Sequence, residues 1–250
     1  MITIRDIVIG EGKPKICVTI SGTDESAIIS QTRKAFLSAA EIIEWRADSF
    51  EGWQDDLSLI RMLKTIRMNI GSKAFLFTFR TKEEGGSIPF KDTEYMRILK
   101  IAIDSRLIDL VDIECCVSEY MAMEMISYAK EKNVFIIGSN HSPGFNLSIG
   151  EMEYRIRYMQ KLGVDIARLT VVPGRRRDAY RLLLTTHDLS EDLNFPIAVL
   201  GYGEFGKYTR VLGELFGSCL TEAVIDASSE PSEISVSVMA PLLQTLHDLS

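Results

Sequence analysis

The 250-residue sequence has no apolar run long enough to cross a membrane, and it does not start with a basic stretch followed by an apolar segment. A membrane helix needs about 20 mainly apolar residues, so we expect neither a membrane span nor a signal peptide. Basic residues are outnumbered, with 28 Lys and Arg against 35 Asp and Glu. Because nucleic-acid binding normally requires a basic face, we expect no nucleic-acid partner.

Potential metal ligands are few. The three histidines have no spacing typical of a metal site, and the cysteines form no Cys-x-x-Cys pair with histidine partners. We therefore expect neither a metal nor a cofactor. We interpret Cys17, Cys115, Cys116 and Cys219 as buried thiols of a protein in the reducing cytoplasm. Cys115 and Cys116 are adjacent, and in a strand their side chains would point to opposite faces.

Short apolar runs alternate with longer amphipathic segments along almost the whole chain. The runs are typical of buried strands and the segments of helices. Eight such units in this length predict an α/β fold, a (β/α)8 TIM barrel that forms a single domain over residues 1–250. The predicted strands are 15–20, 42–48, 74–80, 110–115, 134–141, 165–172, 196–202 and 220–225. The predicted helices are 24–39, 54–69, 91–105, 118–132, 148–162, 175–189, 206–217 and 235–247.

The first stretch, ITIRDIVIGEG, lies outside this count. Its apolar residues alternate with period two, which predicts a β-hairpin that closes the bottom of the barrel. A doubly wound sheet is the alternative architecture. It is disfavoured because the segment after the first barrel strand, SGTDES, lacks the G-x-G-x-x-G pattern of a phosphate-binding loop.

Polar residues gather where the predicted strands end, which is the edge where barrels of this kind carry their active sites. Alternation places Glu44 and Arg46 on one face of their strand and Trp45 on the other. Carboxylates and guanidiniums on an inward face suit a small, polar, anionic ligand, although a structural ring of ion pairs would also explain them. His141 ends another strand and is a candidate general base or acid, because its pKa lies near working pH.

Several segments, in this order, resemble the type I 3-dehydroquinate dehydratase family: EIIEWRADSFEG, FLFTFRTKEEGG, IAIDSRLIDLVDIE, IIGSNHSPGF, RVLGELFGS and SSEPSEI. The resemblance runs from IVIGEGKPKI to the last helix. It implies a (β/α)8 barrel, usually dimeric, that converts 3-dehydroquinate to 3-dehydroshikimate and water in the shikimate pathway of aromatic amino acid biosynthesis. In the family, a lysine on the sixth strand forms a Schiff base with the substrate ketone, and a histidine on the fifth strand moves the proton.

The resemblance also implies roles for individual residues. The residues that match or occupy the catalytic positions are His141, Glu84 and Arg168. The predicted substrate-binding residues are Thr19, Glu44, Arg46, Arg80, Glu114, Arg210, Glu222, Ser229 and Glu233. Within this set, the resemblance assigns the substrate carboxylate to Arg210 and Ser229.

Three positions depart from the family pattern: Arg168 replaces the reactive lysine, Glu222 replaces a pocket phenylalanine, and Glu233 replaces a carboxylate-binding glutamine. Arginine cannot act as that nucleophile, because its pKa is above about 12 and its nitrogen lone pairs are delocalised. We expect Arg168 to bind a ketone oxygen or to pair with Glu44, Glu114 or Glu222.

The other departures affect the charge of the site. Glu233 would repel a substrate carboxylate or pair with Arg210 and neutralise it. Lys207, after strand seven, is the nearest candidate for a relocated lysine, although a solvated loop residue is the simpler interpretation.

These observations leave three functions open. The first is a hydro-lyase of the shikimate pathway that acts on 3-dehydroquinate without a Schiff base and has weak or altered activity. The second is an inactive relative that binds a shikimate-type metabolite or a partner protein. The third is different chemistry, such as that of another lyase or isomerase, on a related substrate that lacks the carboxylate or bears a cation in its place. The retained residues favour the first, with a small polyhydroxy carboxylate as ligand and a homodimer as the assembly.

Overall fold

The computed structural model describes residues 1–89, 91–142, 147–226 and 230–249. A two-stranded antiparallel hairpin comes first, and eight parallel strands follow it. The hairpin strands are β1 (Ile2–Ile4) and β2 (Ile7–Ile9). The parallel strands are β3 (Lys15–Ile20), β4 (Ile42–Arg46), β5 (Ala74–Thr78), β6 (Leu110–Glu114), β7 (Phe135–Ser142), β8 (Ile166–Val171), β9 (Ile197–Gly201) and β10 (Leu220–Ala223).

The parallel strands follow chain order around a ring. Each strand from β3 to β8 pairs with the next, and β10 pairs with β3. Between the two remaining strands, the Cys219 amide donates to the Ile197 carbonyl at 2.8 Å, which brings β10 next to β9. The predicted (β/α)8 barrel is therefore confirmed. The doubly wound alternative is wrong, because such a sheet reverses its strand order and stays open.

Helices connect the strands and cover the outside of the barrel. Four of them begin with an Asp or Ser whose side chain accepts a backbone N–H of the first turn, namely Asp24, Asp55, Ser118 and Ser148. The helices are α1 (Glu25–Leu37), α2 (Asp56–Asn69), α3 (Asp92–Asp104), α4 (Glu119–Glu131), α5 (Ile149–Leu162), α6 (Arg176–Leu193), α7 (Lys207–Val211) and α8 (Val236–Asp248).

Helix α7 is shorter than the predicted span 206–217. It ends at Val211, and the chain then turns back toward β10 through Gly213 and Gly217. Gly217 has φ of 81°, a left-handed conformation that ends regular helix and that glycine adopts without steric cost.

The hairpin closes the bottom of the barrel, as predicted. Ile4 and Ile9 are buried and pack against the inward residues at the amino ends of the barrel strands. Burying such aliphatic side chains stabilises the fold by about 1.5–3 kcal/mol each. The barrel residues of this cluster are Cys17, Ile42, Ala74, Leu76, Leu110, Ile137, Ile166, Ala198, Cys219 and Leu220.

The cysteines are all free, but they differ in exposure. Cys17, Cys115 and Cys219 are buried as expected, whereas Cys116 is exposed. The expectation fails for Cys116 because β6 ends at Glu114, so Cys116 lies in the turn before α4 and not in a strand. Within the described ranges, no helix combines the length and apolar composition needed to cross a membrane.

Candidate active site

A cavity of about 260 Å³ lies at the carboxyl ends of the barrel strands. Strand alternation sends Glu44 and Arg46 of β4 into it, whereas Trp45 between them packs outward against Phe77. No lysine lines the cavity among the residues that the structure describes. The lining residues are Thr19, Glu44, Arg46, Arg80, Glu84, Gly85, His141, Ser142, Arg168, Thr170, Val172, Tyr202 and Glu222.

Arg168 lies at the centre of this wall and is 2 % exposed. Its Nη2 donates to Asp112 Oδ2 at 2.6 Å and to Glu44 Oε1 at 3.0 Å. Its Nη1 lies farther from its acceptors, 3.3 Å from Glu222 Oε1 and 3.5 Å from Glu44 Oε2. Its Nε–H has no hydrogen-bond acceptor in the described part of the chain. The guanidinium is held firmly through Nη2 and more loosely through Nη1, and among the described residues only its Nε–H keeps an unused donor.

The partners of Arg168 correct part of the prediction. Glu44 and Glu222 pair with it as expected, but Glu114 does not, and Asp112 takes that place. Glu114 is already engaged, because its Oε1 accepts from Arg80 Nη1 at 3.0 Å and from the backbone amide of Thr81 at 2.8 Å.

Opposing charges keep Glu44 and Arg168 ionised. Burial opposes ionisation of Glu44, but the Arg168 guanidinium outweighs it and lowers the pKa of Glu44 to about 2. Burial likewise opposes the charge on Arg168, yet Glu44, Asp112 and Glu222 together raise its pKa well above the ordinary value. Arg168 therefore stays cationic at any working pH and cannot act as an amine nucleophile.

His141 and Glu84 form a second group on the wall. Glu84 Oε2 lies 3.0 Å from His141 Nδ1 and accepts the His141 backbone amide at 2.6 Å. Glu84 Oε1 accepts from Asn140 Nδ2 at 2.6 Å, and Asn140 Oδ1 accepts from Arg155 Nη1 at 2.5 Å. With Glu84 as acceptor, Nδ1 of His141 carries the proton and Nε2 keeps the free lone pair.

The pKa values of this pair suit proton transfer. Burial, reinforced by Arg80, Arg168 and Arg46, holds the pKa of His141 well below its ordinary value. The imidazole is therefore neutral near pH 7 and able to accept a proton. Burial also raises the pKa of Glu84 to about 7, against the opposing effect of Arg80.

Glu222 joins two guanidiniums. Its Oε1 faces Arg168, and its Oε2 lies 3.3 Å from Arg210 Nη2 and 3.4 Å from the Tyr202 hydroxyl, which donates to it. The ring of Tyr202 lies 4.7 Å from the Arg210 guanidinium carbon. The Glu222 charge and burial raise the pKa of Tyr202 to about 12, so this hydroxyl remains a donor.

Three other candidate residues, Arg210, Glu233 and Lys207, lie outside the cavity wall. Arg210 is buried behind Tyr202 and Glu222, and the carboxylate against it is that of Glu222, not Glu233 as one interpretation expected. Glu233 is half-buried beyond β10. Lys207 places its Nζ 5.6 Å from the Tyr208 ring and does not line the cavity. Ser229 falls outside the described residues.

Sequence reasoning assigned no role to several residues of the site. Asp112 precedes Glu114 by two positions in β6, so alternation alone places both on the inward face. Tyr202 and Asn140 also stand at strand ends. Arg155 gave no signal, because its role depends on helix α5 packing beside β7.

The chain forms a parallel barrel with a polar cavity at the carboxyl ends of its strands and a histidine–carboxylate pair on the cavity wall. These features are those of (β/α)8-barrel enzymes. Within this class, the model of the type I 3-dehydroquinase family matches residues 16–250. The chain belongs to the type I 3-dehydroquinate dehydratase family.

Individual relatives agree with this assignment over nearly the whole chain. The chain is 34% identical to the 3-dehydroquinate dehydratase of Bacillus subtilis over 248 residues, covering 99% of this chain and 97% of that protein. It is 32% identical to a solved type I 3-dehydroquinate dehydratase of Clostridium difficile, with a TM-score of 0.97 over 100% and 98% of the two chains. The enzyme of Geobacillus kaustophilus superposes with a TM-score of 0.95 at 30% identity, over 100% and 97%.

Proposed function

We propose that this chain removes water from a cyclic β-hydroxy ketone of the 3-dehydroquinate type by acid–base catalysis, without a Schiff base. The observation that carries the proposal is that one cavity holds both a neutral histidine, His141, and a permanently charged guanidinium, Arg168, which the resemblance places where the family has its lysine. The proposal places the whole reaction in one barrel domain.

His141 begins the reaction as the general base. Its Nε2 takes the proton from the carbon next to the ketone, and Glu84 stabilises the resulting imidazolium through Nδ1–H. The electron pair of the broken C–H bond moves to the ketone oxygen, which becomes an enolate.

Arg168 replaces the iminium as the group that stabilises the negative charge on the ketone oxygen. Its Nε–H is unpartnered within the described ranges, as is the buried hydroxyl of Thr170, and both residues line the cavity. These donors stabilise charge on the enolate oxygen in the manner of an oxyanion hole. The enolate then reforms the ketone, the β-hydroxyl group leaves, and the proton on His141 completes the departing water.

We expect this route to be slow. An iminium withdraws electrons more strongly than a hydrogen-bonded carbonyl, and the Arg168 charge is already shared among three carboxylates. Turnover orders of magnitude below that of relatives with the lysine is therefore the expected result.

Incubation with 3-dehydroquinate, followed by the ultraviolet absorbance of the conjugated enone, tests the proposal. We expect slow absorbance growth that His141→Ala abolishes and that Arg168→Met reduces by about 100-fold. Absorbance no faster than the blank, or unchanged in His141→Ala, would refute it. Light scattering of the same samples tests the homodimer that family membership suggests.

A second candidate function is binding without turnover. It is favoured by the ion pairs of Arg168, which resemble a structural network more than a poised catalytic group. Calorimetric binding of 3-dehydroquinate or shikimate with no enone formation would select this function over the first.

A further inference from the structure

Each guanidinium on the cavity wall already faces a carboxylate of the protein. Arg46 makes two bonds to Asp48, with Nε–Oδ1 and Nη2–Oδ2 distances of 2.7 and 2.8 Å. Arg80 lies 3.0 Å from Asp112 and 3.0 Å from Glu114. Arg168, as described above, is surrounded by three carboxylates. Among the described residues, the wall therefore offers no unpaired cation to an anionic ligand.

Arg210 lies just behind the wall, and two of its three nitrogens donate to backbone carbonyls. Its Nε donates to the Gly201 carbonyl at 3.1 Å, and its Nη1 donates to the Glu222 carbonyl at 3.1 Å. Its Nη2 faces the Glu222 carboxylate at 3.3 Å, and its flat face is covered by Tyr202. A ligand carboxylate that paired with Arg210 Nη2 would lie beside the Glu222 carboxylate, which already occupies that position.

Glu222 thus stands on the cavity surface with its own carboxylate between two guanidiniums. Displacing it would leave a buried negative charge without its partners, which is strongly unfavourable. A ligand carboxylate that left Glu222 in place would meet a like charge at short range. An uncharged group with an N–H or O–H would instead donate a hydrogen bond to Glu222.

We propose that this cavity favours cyclic polyhydroxy ketones that carry no carboxylate over those that carry one, and that Glu222 is the residue that sets this preference. The inference rests on the proposed function, because it names the ligand class of the same site. The carboxamide of 3-dehydroquinate is the matched probe, since it preserves the ring and the size of the group and removes only the charge.

The experiment measures binding and turnover of 3-dehydroquinate and its carboxamide by the wild-type chain, by Glu222→Gln and by Glu83→Gln. Glu83 is an exposed glutamate outside the cavity wall, so Glu83→Gln makes the same change in net charge away from the ligand. We expect the wild type to prefer the carboxamide by at least about tenfold in kcat/KM and in Kd. Glu222→Gln should reverse the preference, and Glu83→Gln should keep it.

The outcomes separate the two proposals. Equal or tighter binding of the carboxylate by the wild type overturns the selectivity and leaves the proposed dehydration intact. Preference for the carboxamide that persists in folded Glu222→Gln overturns the role of Glu222. If wild type binds and converts neither compound, the proposed function fails and the selectivity fails with it. Should Glu222→Gln not fold, the wild-type comparison of the two ligands still decides the selectivity.

Discussion

Arg168 Nη2 lies 2.6 Å from Asp112 Oδ2, and this contact joins β8 to β6 across the interior of the barrel. Both side chains are almost fully excluded from solvent. A buried ion pair contributes little net stability against a well-packed apolar pair, but losing one partner is costly because the other charge is left behind. The contact therefore makes Arg168 a structural as well as a functional residue.

Replacing Arg168 with methionine should lower the free energy of unfolding by about 3–5 kcal/mol, because Glu44, Asp112 and Glu222 lose their shared cation. Urea denaturation measures the change. Arg157→Met is the control, since Arg157 and its partner Asp192 are 47% and 66% exposed and such pairs contribute about 1 kcal/mol or less.

A double-mutant cycle tests whether Glu222 belongs to the same network. In the Arg168→Met background, Glu222→Gln should cost less than it does in the wild type, with a coupling of about 0.5–3 kcal/mol. Additive effects of the two substitutions would mean that Glu222 is not held by Arg168.

The inward direction of Arg168, Glu44 and Arg46 could be predicted from strand alternation, and so could the barrel itself. The ion-pair partners of these residues could not be predicted in the same way. Arg168 and Asp112 are 56 residues apart, and the meeting of their side chains depends on the stagger of strands around the ring. The early end of α7 could not be predicted either, because this helix stops where tertiary packing turns the chain toward β10.

The raised pKa of Glu84 gives a stability dependence with a definite sign. Between pH 4.5 and about 7 the native carboxyl keeps a proton that the unfolded chain has released. Stability from this group is therefore present below pH 4.5 and is lost as pH rises through about 7. The full shift corresponds to about 3 kcal/mol.

Glu84→Gln isolates this contribution. The wild-type free energy of unfolding, measured relative to that of Glu84→Gln, should fall between pH 4.5 and 7.5, while other titrating groups largely cancel in the difference. A flat difference would show that Glu84 has an ordinary pKa. In the wild type, kcat/KM should rise as pH passes about 7, because ionised Glu84 orients His141 and stabilises its cation.

Arg155 should act as a positioning residue for the catalytic pair. It holds Asn140 with the amide oxygen outward, so that Nδ2 points to Glu84. Arg155→Met frees that amide to rotate, which weakens the support of Glu84 and His141. We expect kcat to fall by about tenfold, within the usual range for loss of a supporting residue, with KM nearly unchanged and the rising limb of the pH profile moved to higher pH.

Arg157→Met on the same helix is the matched control and should leave both kinetic constants and the pH profile unchanged. Partial recovery in Arg155→Lys would support the role in positioning. A fall in activity accompanied by an unaltered pH profile would mean that Arg155 only stabilises the fold.

We propose that this site works without a covalent intermediate at position 168. Borohydride is added while the wild-type chain turns over 3-dehydroquinate, and the intact mass of the protein is then recorded. A type I 3-dehydroquinate dehydratase that has the lysine serves as positive control. We expect enone formation with no added mass on this chain, whereas a reduced adduct on any of its lysines would contradict the non-covalent route.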